Sequence, residues 1–360
     1  MNRTPRFRVG HSLLVVLISI GVTPIAAAEA RQTPPAPPAS AAKRAPRAAT
    51  KSATKRLYST QRSVPRKARL ARARAAATAR EMAETIVPRY KVDASGDLVP
   101  DIRAAAAIIY NPETNEVLWE ENSQSQRSIA SITKVMTAVA FLEADPDLTQ
   151  PITVVRGDVF RASTTYLRAN DQITAEELLH LLLIASDNAA ARVLARVSPY
   201  GTDGFIQRMN QKAAELGLEN TRYADPSGLL SDNVSSAYDM ARLIAHASAN
   251  EKISSVMRLQ AYTVQTSKRS IAVHSTNHML GRQDFDVRAA KTGFISKSGY
   301  CFATLLRLPQ GGHQVALVVL GARSNAGRFM ETQNLFNWIS TKAATIFATN
   351  APIVSAAPQD

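Results

Sequence analysis

Runs with strand character stand at both ends of the apolar part of this chain, and a block of helical periodicity separates them. Residues 103–110 are short and apolar, Asn111-Pro112-Glu113-Thr114-Asn115 has turn chemistry, and residues 116–120 make a second run. Together they predict a β-hairpin. The remaining strand-like runs come much later, at 287–294, 299–306 and 314–321. Both halves of this set are needed for one sheet. Between them, residues 131–144 carry apolar positions at Ile132, Val135, Met136, Val139 and Leu142, a helical spacing that Asp145-Pro146 stops. A second helix is expected over 174–184, with Thr174 as N-cap and Glu177 three residues on. Others follow over 189–197, over 205–216 before Gly217, and over 237–247, and a last helix spans 327–347. The pattern predicts a single α/β (α+β) domain over 86–347, an antiparallel sheet flanked by helices with a helical lobe inserted in the middle.

The net charge of +14 suggests a nucleic-acid binder until it is divided along the chain. Residues 31–80 hold 14 Lys and Arg and no acidic residue, whereas residues 81–360 are close to neutral. The segment 31–85 is rich in Ala, Pro, Lys, Arg, Ser and Thr, and reads as a disordered basic tail with too little apolar surface to offset its ordering entropy. It is either a solvated spacer or a contact for an anionic cell-wall or membrane surface. Residues 1–30 read as an export signal: Arg3, Arg6 and Arg8, an apolar stretch from Leu13 to Val22, and small residues around Ala28. Export, to the periplasm, makes a nucleic-acid partner unexpected. Residues 348–360 read as a frayed C-terminal tail. Cys301, the only cysteine, sits in an apolar run and reads as a small buried hydrophobe. The six histidines show no metal-site spacing, so neither metal nor cofactor is expected.

Three short motifs carry the chemistry: Ser131-Ile132-Thr133-Lys134, Ser186-Asp187-Asn188 and Lys291-Thr292-Gly293. Each has imitators. S-x-x-K recurs at Ser40–Lys43 and Ser52–Lys55, S-D-N at Ser231–Asn233, and K-S-G at Lys297–Gly299. Context selects among them. Ser131 opens a helix with Lys134 one turn on and on the same face. Ser186 lies in a tight turn between two buried helices. Lys291 to Gly293 end a strand, where glycine admits a close backbone approach. The copies at 40 and 52 lie in the tail, Ser231 looks exposed, and Lys297 belongs to a turn.

A serine hydroxyl needs a base, and no His/Asp pair is in evidence. Lys134 serves if it is neutral, which burial and a neighbouring cation such as Lys291 both favour. The Ser131 N–H at the helix start can face a developing oxyanion, with the backbone at Phe294 as second donor. Ser186 would relay a proton between Lys134 and a leaving amine, and Asn188 would bond a substrate amide. Lys291 and Thr292, with Arg328, would anchor a substrate carboxylate.

With Ala185-Ser186-Asp187-Asn188-Ala189, Asp225-Pro226-Ser227-Gly228-Leu229 and Lys291-Thr292-Gly293-Phe294-Ile295, these motifs closely resemble the low-molecular-weight penicillin-binding proteins, the D-alanyl-D-alanine peptidases. The resemblance runs from about Ile102 to Asn337 and is greatest to the endopeptidase type, penicillin-binding protein 7. It implies a β-lactamase/penicillin-binding transpeptidase-like fold and a Ser131 acyl-enzyme with Lys134 as base. Its substrate would be a peptidoglycan peptide and its covalent inhibitors β-lactams. Family oxyanion donors fall on the Ser131 and Phe294 backbones, and the family arginine on Arg328. The extra C-terminal domain and anchor helix of the carboxypeptidase type find no room after residue 347. A class A β-lactamase would need an E-x-x-L-N loop, which residues 188–291 lack. A catalytically silent wall-binding protein would not need Ser131, Lys134, Ser186 and Lys291 together.

Overall fold

The computed structural model describes residues 66–348. The expected export signal, the basic segment before residue 66 and the C-terminal tail after 348 lie outside the described residues. In chain order come α1 (Arg66–Ile86), β1 (Tyr90–Val92), β2 (Leu98–Pro100) and the expected hairpin, β3 (Ala106–Asn111) and β4 (Glu116–Glu121). β5 (Arg127–Ser128) leads through a 3-10 turn at Ala130–Ile132 into α2 (Thr133–Glu143). β6 (Pro151–Thr153), α3 (Arg156–Val159) and β7 (Gln172–Thr174) precede α4 (Ala175–Leu183), α5 (Asn188–Val197) and α6 (Gly201–Glu215). β8 (Val234–Ser235), α7 (Ala237–Ser248), α8 (Glu251–Met257), β9 (Ala261–Gln265) and β10 (Ser270–His274) follow. The chain closes with β11 (Asp286–Ile295), β12 (Gly299–Arg307), β13 (Gln314–Ala322) and α9 (Asn325–Ala348).

The five-stranded sheet runs β11-β12-β13-β3-β4, antiparallel at every step. The N-terminal hairpin thus joins the three late strands, as expected, with Ile109 opposite Leu317. Alternation along each strand sends side chains to two cores. Ile108, Tyr110, Val318 and Leu320 pack with the helical part. Ile109, Leu317, Val319 and Phe302 pack with Phe336 and Ile339 of α9. Helices cover both faces, so β3 is buried at all of its residues and reads as a continuous apolar run rather than an alternating one.

α2 is the axis of the inserted lobe. It packs against α4, α5, α6 and α7, and every residue from Thr133 to Leu142 is buried. A helix enclosed on all sides has no solvent face, so a lysine on it is buried too. The two-residue pairing of β5 with β8 sets Arg127 opposite Ser235 and draws the segment before β8 against the entry to α2. Pairings this short carry no periodicity and were not expected from sequence, and the same holds for the three-residue β6–β7; the five-residue hairpin β9–β10 was not expected either.

One expectation needs correction. Residues 66–85, assigned to the disordered tail, belong to α1, which lies along α9. Alanine and arginine are strong helix formers, and α9 supplies the partner surface that composition alone does not reveal.

Met136, fully buried in the middle of α2, tests the packing of this axis. Met136→Ala is expected to lower unfolding free energy by about 2–5 kcal/mol with an unchanged urea m-value. Equilibrium urea denaturation measures both.

Candidate active site

The three motifs converge on one cleft of about 490 Å³, whose lining includes Ser131, Ser186, Asn188, Thr292, Gly293 and Arg328. Backbone contact makes the convergence possible. A Cβ on Gly293 would stand 2.5 Å from the Ile129 oxygen and 3.2 Å from the Ser131 nitrogen. One on Gly228 would stand 2.0 Å from the Ala130 oxygen and 2.9 Å from the Ser131 nitrogen, at a φ of +79°. Only glycine lets two strands of chain close on the nucleophile segment from both sides. Ala130 itself sits in the left-handed region, at φ +48°, and so does Ser186, at +60°. Such conformations in residues with side chains mark segments held in place by their surroundings.

Lys134 Nζ is 2.9 Å from Ser131 Oγ, 2.7 Å from Asn188 Oδ1 and 2.5 Å from the Ser227 carbonyl oxygen. Two of these partners can only accept, because each is a carbonyl oxygen. A neutral amine has two N–H groups and one lone pair, which satisfies both carbonyls and leaves the lone pair for the Ser131 hydroxyl proton. Burial lowers the Lys134 pKa to about 7, while Asp225 and Asp187 pull it upward and Arg192 adds to the lowering. The shift is in the expected direction, but the cation that assists it is Arg192 of α5. The coupling to Lys291 runs the other way: burial, then Lys134, then Arg328 lower the Lys291 pKa well below its usual value.

Ser186 lies in the turn between α4 and α5, and Lys291 Nζ donates to its hydroxyl at 2.8 Å. Lys291 also donates to the Thr292 carbonyl at 3.1 Å. The serine of the second motif thus bonds Lys291 rather than Lys134. Asp187 caps α5, accepting from Ala190 N at 2.9 Å and from Tyr166 N at 2.6 Å. The Asn188 side chain also has partners within the protein. Its Oδ1 is taken by Lys134, its Nδ2 donates to Ala162 O at 2.8 Å, and one Nδ2 hydrogen remains.

β11 is an edge strand of the sheet, and its Lys291-Thr292-Gly293 stretch lies just short of the strand's end. Thr292 Oγ1 bonds Thr276 Oγ1 at 2.6 Å, a partner that no motif announced. The Phe294 ring is 49% exposed at the cleft and stacks on Tyr300 at 4.2 Å between centroids. Arg328, at the start of α9, reaches the site as expected but is buried. Its Nη1 donates to the Gly293 and Cys301 carbonyls at 3.1 and 3.2 Å, and Nη2 bonds Asn325. Its Nε has no partner. Burial lowers its pKa to about 10, still far above neutrality. Cys301 is fully buried as expected, and burial raises its thiol pKa. Among the imitators, Lys297 is exposed in the β11–β12 turn, whereas Asn233 of the second S-D-N is fully buried.

The arrangement supplies a hydroxyl, a buried amine in contact with it, a hydroxyl–amine pair opposite and the Arg328 guanidinium, groups that acyl transfer can use. A family model described as D-alanyl-D-alanine carboxypeptidase matches residues 93–324. D-alanyl-D-alanine endopeptidases of Escherichia coli (strain K12) and Pseudomonas aeruginosa are 33% and 31% identical, over 67% and 69% of this chain and 79% and 81% of theirs. The solved DD-transpeptidase of Streptomyces K15 is 26% identical with a TM-score of 0.62, over 66% of this chain and 97% of that one. On that match and those relatives, the chain belongs to the D-alanyl-D-alanine carboxypeptidase family of serine peptidases.

Proposed function

We propose that the protein is a D,D-endopeptidase that opens peptidoglycan cross-links through an acyl-enzyme on Ser131. The observation that carries this is the Lys134 amine, 2.9 Å from the Ser131 hydroxyl and with a pKa near 7. A base poised near the working pH combines a useful neutral population with useful basicity. The endopeptidase assignment draws on relatives of that name at 31–34% identity. Attack proceeds as Lys134 takes the Ser131 proton and Oγ bonds the carbonyl carbon of a D-alanine residue. The Ser131 and Phe294 backbone N–H groups receive the oxyanion. Ser186 accepts a hydrogen bond from Lys291, so its own proton is free to go to the leaving amine. The proton taken from Ser131 restores the balance. Water then repeats the sequence on the ester and frees Ser131.

Lys291, Thr292 and Arg328 form the carboxylate anchor, and the unpartnered Arg328 Nε gives that wall an unused donor. A β-lactam carries both a reactive carbonyl and a carboxylate, so it enters as substrate and stays as a penicilloyl ester. The substrate is outside the cytoplasm, which agrees with the signal features of residues 1–30, and we assign the protein to the periplasm. No helix among the described residues is long and apolar enough to cross a membrane. The basic segment before residue 66 is suited to weak contact with anionic wall or lipid.

Ser131→Ala is expected to abolish labelling by a fluorescent penicillin on a denaturing gel, and persistent labelling removes Ser131 as nucleophile. Digestion of purified cross-linked peptidoglycan, read by mass analysis, is expected to convert dimers to monomers. Loss of single D-alanines from pentapeptides with dimers intact would instead make the enzyme a carboxypeptidase.

The base must be neutral to act, so protonation removes activity. The acylation rate constant is expected to fall as pH drops through about 7, approaching tenfold per pH unit well below it. Lys134→Ala is expected to lower the plateau by roughly 10²–10⁴-fold. Stopped-flow or gel-based acylation kinetics across pH measure both.

A further inference from the structure

The second S-D-N copy and the side chains of Asp225 and Ser227 have no step in the reaction proposed above, yet these polar groups close on one another. Asn233 is fully buried. Its Oδ1 accepts from Ala224 N and Asp225 N at 3.0 and 3.3 Å. Its Nδ2 donates to Asp225 Oδ1 and Leu230 O at 2.7 and 2.9 Å. Asp225 Oδ1 also accepts from Gly228 N at 2.6 Å, and Oδ2 from Ser227 Oγ at 2.9 Å. The loop is thus tied to itself at nearly every residue.

What the tied loop presents is a row of contacts along the nucleophile segment. The Asn233 carbonyl accepts from Ile129 N at 3.1 Å. Gly228 lies against Ala130 and the Ser131 nitrogen. The Ser227 carbonyl meets Lys134 Nζ at 2.5 Å, and the Pro226 carbonyl meets Thr137 Oγ1 at 2.6 Å. The charged groups acting on Lys134 are few. Asp225 comes from this loop, Asp187 caps α5, and Arg192 lies within α5. Asp187 is occupied in capping α5, and burial raises its own pKa.

We infer that Asp225 is a positioning residue for acylation: braced by Asn233, it fixes the Ser227 carbonyl on the Lys134 amine and supplies the negative charge that balances that amine. The inference rests on the proposed role of Lys134 as base of Ser131. A carboxylate in this place does two separable things. Its geometry sets where the amine sits, and its charge favours the ammonium form. Asparagine keeps the shape, since one oxygen can still accept from Gly228 and Asn233 while its amide donates to Ser227. Glutamate keeps the charge and displaces the contacts.

The test uses the full-length protein and the second-order acylation rate constant for a penicillin, from about pH 5 to about pH 9. Thermal melting accompanies each variant. Asp225→Asn is expected to keep most of the plateau and move the acid limb to lower pH by about one unit, because the ammonium has lost a favourable partner. Asp225→Glu and Asn233→Ala are expected to leave the limb in place and lower the plateau, by roughly 10²-fold for a misplacement near 1 Å. An acid limb unchanged in Asp225→Asn overturns the charge role. Plateaus equal to wild type in both Asp225→Glu and Asn233→Ala overturn the positioning role. Wild-type protein that takes no penicillin overturns the proposed function and this inference with it, a result distinct from either variant outcome.

Discussion

Enclosing one amine inside the protein is the constraint around which this molecule is arranged. Lys134 sits on a helix packed against four others, where a permanent ammonium would be costly. Two carbonyls and one hydroxyl surround it, and only the hydroxyl can either accept from the amine or donate to its lone pair. Each partner comes from a different part of the chain: Ser131 one turn back, Asn188 at the start of α5, and Ser227 in the loop before β8. The helical lobe therefore serves more than filling space. Its packing supplies the low-polarity setting, and its loops supply the acceptors.

The sheet contributes the opposite wall. β11 stands at its edge, so one side of the Lys291-Thr292-Gly293 stretch faces the cleft instead of another strand. Gly293 and Gly228 then press on the Ile129–Ser131 backbone from two directions. The left-handed Ala130 lies between these two approaches, just before the helix that carries Lys134. Fold and site are continuous here: the strand order that completes the sheet also delivers the second lysine.

Much of this was legible in the letters. Ser131 and Lys134 are one helical turn apart, so their contact follows from spacing once 131–144 is recognised as a helix. The strand runs at both ends of the domain could only be one sheet. Other features left no mark. The Ser227 contact uses a backbone carbonyl, which every residue possesses. Asn233 belongs to a motif copy whose serine is exposed, and only the folded loop turns its amide inward. Arg192 lies one turn into α5 and reads as an ordinary helix arginine. Helix α1 was hidden for a different reason. Its composition lacks the large apolar residues that announce a core, but a neighbouring helix lends it a surface.

The two buried lysines have a bearing on how ligands are captured. Each is depressed by burial, and Lys134 further disfavours charge on Lys291, so the empty cleft carries less positive charge than its residues formally allow. A carboxylate arriving in the cleft favours the ammonium form of either amine, so an anionic ligand opposes the effect of burial on both.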